Sequence, residues 1–340
     1  LNSKGVQASI DNSIRENANK INDIKVGDYS IGDICKKVEE VWTDSEELDE
    51  PEEVWTFEDG SYVNAVTVDN DGNVYSGTNG YKVKQISPSG SEIWTFSGHS
   101  DVINSVAVDN NGNVYSGSSD ETVKKISSSG SMLWSVSDPF SINGVASVPG
   151  AGVVYGGDDY KVVKISPSGS EIWTFSGHSR SVNSVAADNN GYVYSGSGDK
   201  TVKKISPSGS EIWTFSGYSN VVNSVAVDNN GNVYSGSDDQ TVKKISPSGS
   251  EIWTFSGHSF HVTSVAVDDD GNVYSGSYDT KVKKISSSGS EIWTFSGHSS
   301  MVNSVAADNN GYVYSGSSDE TVKKLLVKIP PKLLGYKILE

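Results

Sequence analysis

A single cysteine, Cys35, stands in 340 residues. No intrachain disulfide can form, so packing and hydrogen bonding must close the fold, and the lone thiol leaves the compartment open. No run of 18 apolar residues exists, which excludes a membrane-spanning helix. Basic residues are scarce: 26 against 43 acids, a formal charge of -17. Duplex nucleic acid and anionic membranes are bound through Lys and Arg, so neither is an expected partner. Also missing are a Gly-x-Ser-x-Gly elbow, a Walker loop and a His-Glu-x-x-His pair. The expectation is a non-enzyme without cofactor or metal. No signal-peptide pattern follows Leu1, and the chain reads as a processed or truncated piece of something longer.

What the chain has is repetition. Trp55, Trp94, Trp134, Trp173, Trp213, Trp253 and Trp293 recur at a near-constant step of roughly 40 residues, and a fixed period of this length signals stacked or radial units. Each unit offers four short β-type runs; in the second they are 102–109, 113–118, 122–127 and 132–136. Between the first and second runs lies Asp-Asn-Asn-Gly or a variant, as at Asp69–Gly72, Asp188–Gly191 and Asp268–Gly271. Glycine supplies a positive φ and Asx side chains bond their own backbone, so these read as hairpin turns. Their acids tempt a calcium reading, but the glycine stands fourth, not sixth as a helix-loop-helix calcium site needs. Ser-Pro-Ser-Gly or Ser-Ser-Ser-Gly makes the turn before the fourth run.

Four antiparallel strands per repeat, arranged radially, describe the blade of a β-propeller. Seven Trp-bearing fourth strands begin at Val54-Trp-Thr-Phe57, and seven sets of strands one to three end near Val327. The chain thus opens with an orphan fourth strand and ends with a blade lacking one. Pairing the two closes a seven-bladed ring and removes an exposed sheet edge. The predicted fold is an all-β, seven-bladed propeller over 53–328, its last blade completed from the N-terminus, preceded by a short α-helical segment.

The string Ser235-Gly-Ser-Asp-Asp-Gln-Thr-Val-Lys-Lys-Ile245, with Ser256-Gly-His258 and Val262-Thr-Ser-Val-Ala-Val267, resembles the WD-repeat family, and the resemblance covers the whole repeat region, 53–328. The family's Trp-Asp pair is replaced by Ile126-Ser127 and Ile205-Ser206. Gly231-Asn-Val-Tyr234 with Gly249–Phe255 is also similar to quinoprotein-type and NHL repeats. The WD resemblance implies hydrogen-bonded pairs His99–Asp120, His178–Asp199, His258–Asp279 and His298–Asp319. Tyr218 breaks the pattern opposite Asp239, and the first blade has Gly60 and Asn79 at the equivalent places. These pairs read as blade-internal hydrogen bonding, and the repeated Trp as packing between blades.

Differences among the copies gather in two loop classes. One follows Gly-His-Ser: Asp101, Phe140, Arg180, Asn220, Phe260 with His261, and Ser300 with Met301. The other lies between strands two and three: Tyr81, Glu121, Tyr160, Lys200, Gln240, Tyr278 and Glu320. In an up-and-down blade both project from one end of the disc, and the near-constant turns from the other. Aromatics and Arg anchor binding patches, so this end is the expected ligand face. The bland alternative is neutral variation at exposed loop tips.

Residues 1–44 read as a helical stalk or oligomerisation segment, 45–52 as an acidic linker, and 329–340 as a tail that docks on something. Ile10, Ile14, Ile21 and Ile24, with Gln7 and Asn17, follow heptad spacing; Ile at both seam positions favours three or more strands, and a seam Asn sets register. The alternative is an amphipathic helix packed on the propeller. Ile31, Ile34, Val38 and Val41 suggest a second short helix. A homotrimeric stalk would make the chain an adhesin-like or virion tail-fibre head binding a protein or carbohydrate ligand. The alternatives are an intracellular WD-repeat scaffold and a quinoprotein- or NHL-like propeller enzyme.

Overall fold

The computed structural model describes residues 50–328 in full, and outside them the strands Lys25–Val26, Tyr29–Ser30, Val38–Trp42 and Leu333–Ile338 and the outer ends of Glu46–Glu58 and Thr321–Ile329. The chain divides into two compact units, Leu48–Lys328 and a second made of Leu1–Glu47 with Ile329–Glu340. The heptad positions Ile10, Ile14, Asn17, Ile21 and Ile24 lie outside the described residues. In the second unit, Val38–Trp42 pairs antiparallel with Leu333–Ile338, Val41 opposite Gly335. This corrects the second helix at Val38 and Val41, which are strand residues, while Ile31 and Ile34 lie outside the described residues. Val and Trp fit a pleated surface, and long-range pairing overrides a helical period carried by so few positions.

Leu48–Lys328 holds seven four-stranded sheets. Blade 1 is Val63–Val68, Val74–Thr78, Val83–Ile86 and Glu92–Phe96. Blade 2 begins at Ile103–Val108, blade 3 at Ile142–Val148, blade 4 at Val182–Ala187, blade 5 at Val222–Val227 and blade 6 at Val262–Val267. Blade 7 is Val302–Ala307, Tyr312–Ser317, Thr321–Ile329 and, as its fourth strand, Glu46–Glu58. Residues 46–52, expected as linker, are thus the start of the closing strand.

The closure repeats the chemistry of an ordinary blade. In blade 5, Lys243 Nζ donates to Glu251 Oε2 at 2.9 Å and Thr254 Oγ1 at 2.7 Å. In blade 7, Lys323 Nζ donates to Glu53 Oε2 at 3.0 Å and Thr56 Oγ1 at 2.8 Å. The Asp59 N–H also reaches the Glu320 carbonyl at 2.8 Å, as Asp138 does Glu121 in blade 2. The ring is closed by contacts between opposite ends of the repeat region.

The core lies between blades. Val63, Val66, Val74 and Ile86 of blade 1 pack with Tyr314 and Val322 of blade 7. Strand two is buried throughout in every blade except for Tyr312 at the head of the last, which is why its Val-Tyr-Ser-Gly-Ser pattern does not alternate in polarity. Its glycine lets the next blade approach: a Cβ on Gly117 would stand 2.6 Å from Ile142 Cγ2. Each fourth-strand tryptophan, from Trp55 to Trp253, donates its indole N–H to a carbonyl in the next blade's last hairpin, at 2.9–3.1 Å. Trp293 has no such acceptor among the described residues, because blade 7 takes its fourth strand from the other end of the chain. It is the most buried of the seven, 4% exposed among Val313, Leu325 and Val327.

Candidate binding face

Both loop classes that vary among copies meet at one end of the strands. The loop after strand four leads into strand one, and the loop between strands two and three sits beside it: Ser119 N–H bonds the Val102 carbonyl at 2.8 Å, and Tyr278 N–H the His261 carbonyl at 3.0 Å.

Tyr81, Glu121, Tyr160, Lys200, Gln240, Thr280 and Glu320 all have a positive φ, from 64 to 71°. Left-handed backbone costs an L-residue about 1–2 kcal/mol relative to the right-handed form, and glycine avoids that cost. None of the seven is glycine. The turns at the opposite end have glycine at every positive φ, as at Gly72, Gly191 and Gly271. The blade 6 residue in this register is Thr280; Tyr278, in the same loop as expected, stands two positions earlier beside strand two.

Behind these loops lies a repeated polar support. His99 Nδ1 is 2.7 Å from Asp120 Oδ2, and its Nε2 is 2.7 Å from Ser116 Oγ. His178–Asp199, His258–Asp279 and His298–Asp319 have the same arrangement at 2.8 Å. Burial holds His99, His178 and His298 below the ordinary imidazole value despite the adjacent carboxylates. Burial alone would raise Asp120, but bonds from Thr122, the Ser100 N–H and His99 bring it below the usual range; Asp279 falls to about 2. In His99, His178 and His298 the ring is therefore neutral, Nδ1–H donating to the carboxylate and Nε2 accepting from serine. Each aspartate also accepts the N–H two residues on and the N–H after the histidine, which ties the two loop classes together.

Three blades depart from this. In blade 5, Tyr218 reaches the same serine position, Ser235, with its hydroxyl, and Asp239 keeps its bond to the Ser219 N–H. In blade 1 the histidine's place is taken by Asp59, not Gly60: its Oδ2 accepts from Ser76 Oγ at 2.6 Å, and Lys84 Nζ is 3.5 Å from its Oδ1. The turn aspartate's counterpart is Gly80, one residue before the left-handed Tyr81, not Asn79. In blade 3 Asp138 takes the place and accepts from the Tyr155 hydroxyl at 3.0 Å. Both loops are one residue short, which moves the carboxylate into register. Burial raises both aspartates.

Of the expected face residues, Phe260, His261 and Tyr278 form one cluster. Ring centroids are 6.2 Å apart for Phe260–His261 and 5.6 Å for His261–Tyr278. His261 Nδ1 lies 3.2 Å from Asp238 Oδ1 of the preceding blade. Phe260 and Tyr278 are 56% and 43% exposed. Phe140, Tyr160, Tyr81, Arg180 and Gln240 are exposed singly, and Met301 is half-buried. Lys200 Nζ bridges to the Ser219 carbonyl of the next blade at 2.8 Å. Asp101 and Asn220 turn inward and accept their own loop's N–H, at 2.7 and 3.0 Å. Tyr62, 48% exposed on the same face, was not among the sequence candidates; a comparison aligned on strand one would have found it opposite Val102.

At the opposite end the acids serve their own turns. Asp69 Oδ1 accepts the N–H groups of Asp71 and Asn73, and its Oδ2 accepts Asn73 Nδ2 and the Tyr75 hydroxyl. Among the described residues no group of three or more His, Cys, Asp or Glu side chains is arranged to hold a metal, and no helix is long and apolar enough to cross a membrane.

Comparison with known families agrees with this geometry. A family described as outer membrane protein assembly factor BamB matches residues 39–173 and 238–326, more than half of the chain. A family described as WD domain, G-beta repeat, matches 169–205 and 209–245. No curated protein matches the chain. With seven four-stranded blades and that coverage, the chain belongs to the β-propeller repeat family described as outer membrane protein assembly factor BamB, and carries WD-type repeats between residues 169 and 245.

Proposed function

We propose that this chain is a non-enzymatic binding module that grips a protein partner through the variable-loop end of its propeller. The carrying observation is the run of seven left-handed positions filled by Tyr, Glu, Lys, Gln and Thr, where glycine would be less strained. Side chains held there at a conformational cost have work that glycine cannot do. Phe260, His261 and Tyr278 supply a rigid aromatic anchor of the kind that dominates interface energetics. WD-type propellers generally bind proteins, and the other matched description names protein assembly. The recurring His, Ser and Asp sets are loop supports in this reading, since they repeat from blade to blade as single active sites do not.

A peptide and glycan array probed with the intact chain tests the proposal. Retention of peptides, lost in the Arg180→Ala/Phe260→Ala/Tyr278→Ala variant at unchanged melting temperature, is expected. Retention of glycans alone would replace the partner class, and binding that survives the triple variant would reject the face. The finer reading, an adhesin or tail-fibre head on a trimeric stalk, rests on the 10–24 heptad. Sedimentation decides it: a trimer for the whole chain and a monomer for 46–328 supports the stalk, and two monomers remove it.

A further inference from the structure

The centre of the disc carries a second feature, independent of the loop tips. A cavity of about 210 Å³ on the ring axis is lined by the first strands of all seven blades. Near the start of each strand stands Asn64, Asn104, Asn143, Asn183, Asn223, Thr263 or Asn303. These residues face the variable-loop end, because five of the asparagines donate to the loop between strands two and three: to Asn79, Ser119, Asp158, Asp238 and Ser318 at 2.7–3.0 Å.

The same amide groups also stitch the ring. Asn64 Nδ2 donates to the Ile103 carbonyl, Asn104 to Ile142, Asn183 to Val222, Asn223 to Val262 and Asn303 to Val63, at 2.9–3.1 Å. Neighbouring carbonyls and carboxylates accept only, so they fix which amide atom is nitrogen. In Asn64, Asn104, Asn223 and Asn303 both N–H bonds are thereby committed. The amide oxygens of all six asparagines receive no hydrogen bond from any described residue. At this layer the side-chain groups without a partner are acceptors; one residue deeper, Ser105, Ser184, Ser224, Ser264 and Ser304 each accept a Val N–H of the next blade and keep a hydroxyl hydrogen to donate, and no basic side chain lines the cavity. Asp158 and Asp238 add negative charge at its mouth.

We propose that this axial ring is a binding site for a small cation whose periphery consists of hydrogen-bond donors: a primary ammonium or guanidinium, free or on a side chain, or a hydrated metal ion. An acceptor-lined site desolvates such a cation without loss of its hydrogen bonds, whereas an anion would face six carbonyl oxygens. Blade 6 provides a built-in control. Thr263 Oγ1 still donates to the Val302 carbonyl of the next blade, at 2.6 Å, but brings no amide oxygen. An Asn→Thr exchange therefore removes the acceptor while keeping the stitch.

The test uses the full chain and follows asparagine side-chain NH2 resonances during titration at constant ionic strength. The probes are methylammonium, a lysine-containing peptide amide, Mg²⁺ and tetramethylammonium. Methylammonium or Mg²⁺ should shift the axial signals and tetramethylammonium should not; tighter binding of the peptide than of Mg²⁺ identifies a side chain as the source, and the reverse a hydrated ion. The Asn104→Thr/Asn183→Thr/Asn223→Thr variant should bind at least about tenfold more weakly, since a single lost hydrogen bond to a charged donor is worth about tenfold or more. Thr263→Asn, which adds a seventh amide, should bind about two- to fivefold more tightly, and gives an answer even if the triple variant is poorly folded. Equal shifts with tetramethylammonium, no shift with any donor cation, or unchanged affinity in both variants would overturn the site.

Discussion

The two ends of the disc solve one problem, reversing the chain between antiparallel strands, in opposite ways. At the constant end every left-handed position is glycine, and an aspartate holds the turn while its second oxygen takes a buried tyrosine hydroxyl. At the variable end none of the seven left-handed residues between strands two and three is glycine, and a buried His–Asp or Asp–Ser contact braces the loops from behind. One end minimises strain; the other tolerates it on a stiff support. On the proposed reading this difference marks the binding face more sharply than exposure does, because exposed apolar residues also ring the outer edge at Ile93, Ile172, Ile212 and Ile252.

Acid should break the comparison most. The folded-state pKa values of His99, His178 and His298 lie below the ordinary 6.5, so the unfolded chain binds more protons. Their neutral rings stabilise the fold fully above pH 6.5, and that stability drains as pH falls toward the depressed values, by up to about 1.4 kcal/mol per pH unit per ring. Asp59 and Asp138, raised by burial, work in the opposite direction as pH falls. Urea melts between pH 7 and 5 should show the loss. Hydrogen exchange should place it at the loops after strands two and four, with the constant turns protected; uniform loss over both ends would contradict the assignment.

Next in size is Gly152→Ala. Gly152 opens strand two of blade 3 at φ 99°, and a Cβ there would run into the Ile165 carbonyl. We expect a loss of about 3 kcal/mol in chemical denaturation. In the same blade, Tyr160→Ala at the other end should cost less than about 1 kcal/mol.

The reverse exchange sharpens the contrast. Glu121→Gly and Gln240→Gly relieve left-handed strain but loosen the unfolded chain, so stability should stay level or rise by up to about 1 kcal/mol. A clear fall would mean that these side chains are structural, and would undercut the binding face.

Smallest on stability are Phe260→Ala and Tyr278→Ala, each expected within about 0.5 kcal/mol of the parent because the rings are largely exposed. Their effect should appear in partner binding alone, read by calorimetry once the array has supplied a ligand.

The architecture was legible because it is written in copies. Seven tryptophans at a near-constant step, an orphan fourth strand at Val54–Phe57 and a last blade without one were enough to place the closure. Lys323 meets Glu53 and Thr56 as Lys243 meets Glu251 and Thr254. Where the period slips, the reading failed. Two loops are one residue short, so Asp59 was hidden behind Gly60 in a register carried through from the tryptophan. Val38 and Val41 carried too few periodic positions to reveal a pairing partner at the far end of the chain, in Leu333–Ile338.

Local chemistry by itself determined blade number, strand order and which turns need glycine, because a repeat forces each copy to obey the same φ and burial constraints. Only the tertiary structure decided which residues stand together across blades: the Phe260–His261–Tyr278 cluster against Asp238, the buried indole of Trp293, and the ring of asparagines lining the axial cavity. Each arises where neighbouring copies meet, and the angle at which one blade faces the next is set by packing of the whole ring, which no single repeat encodes.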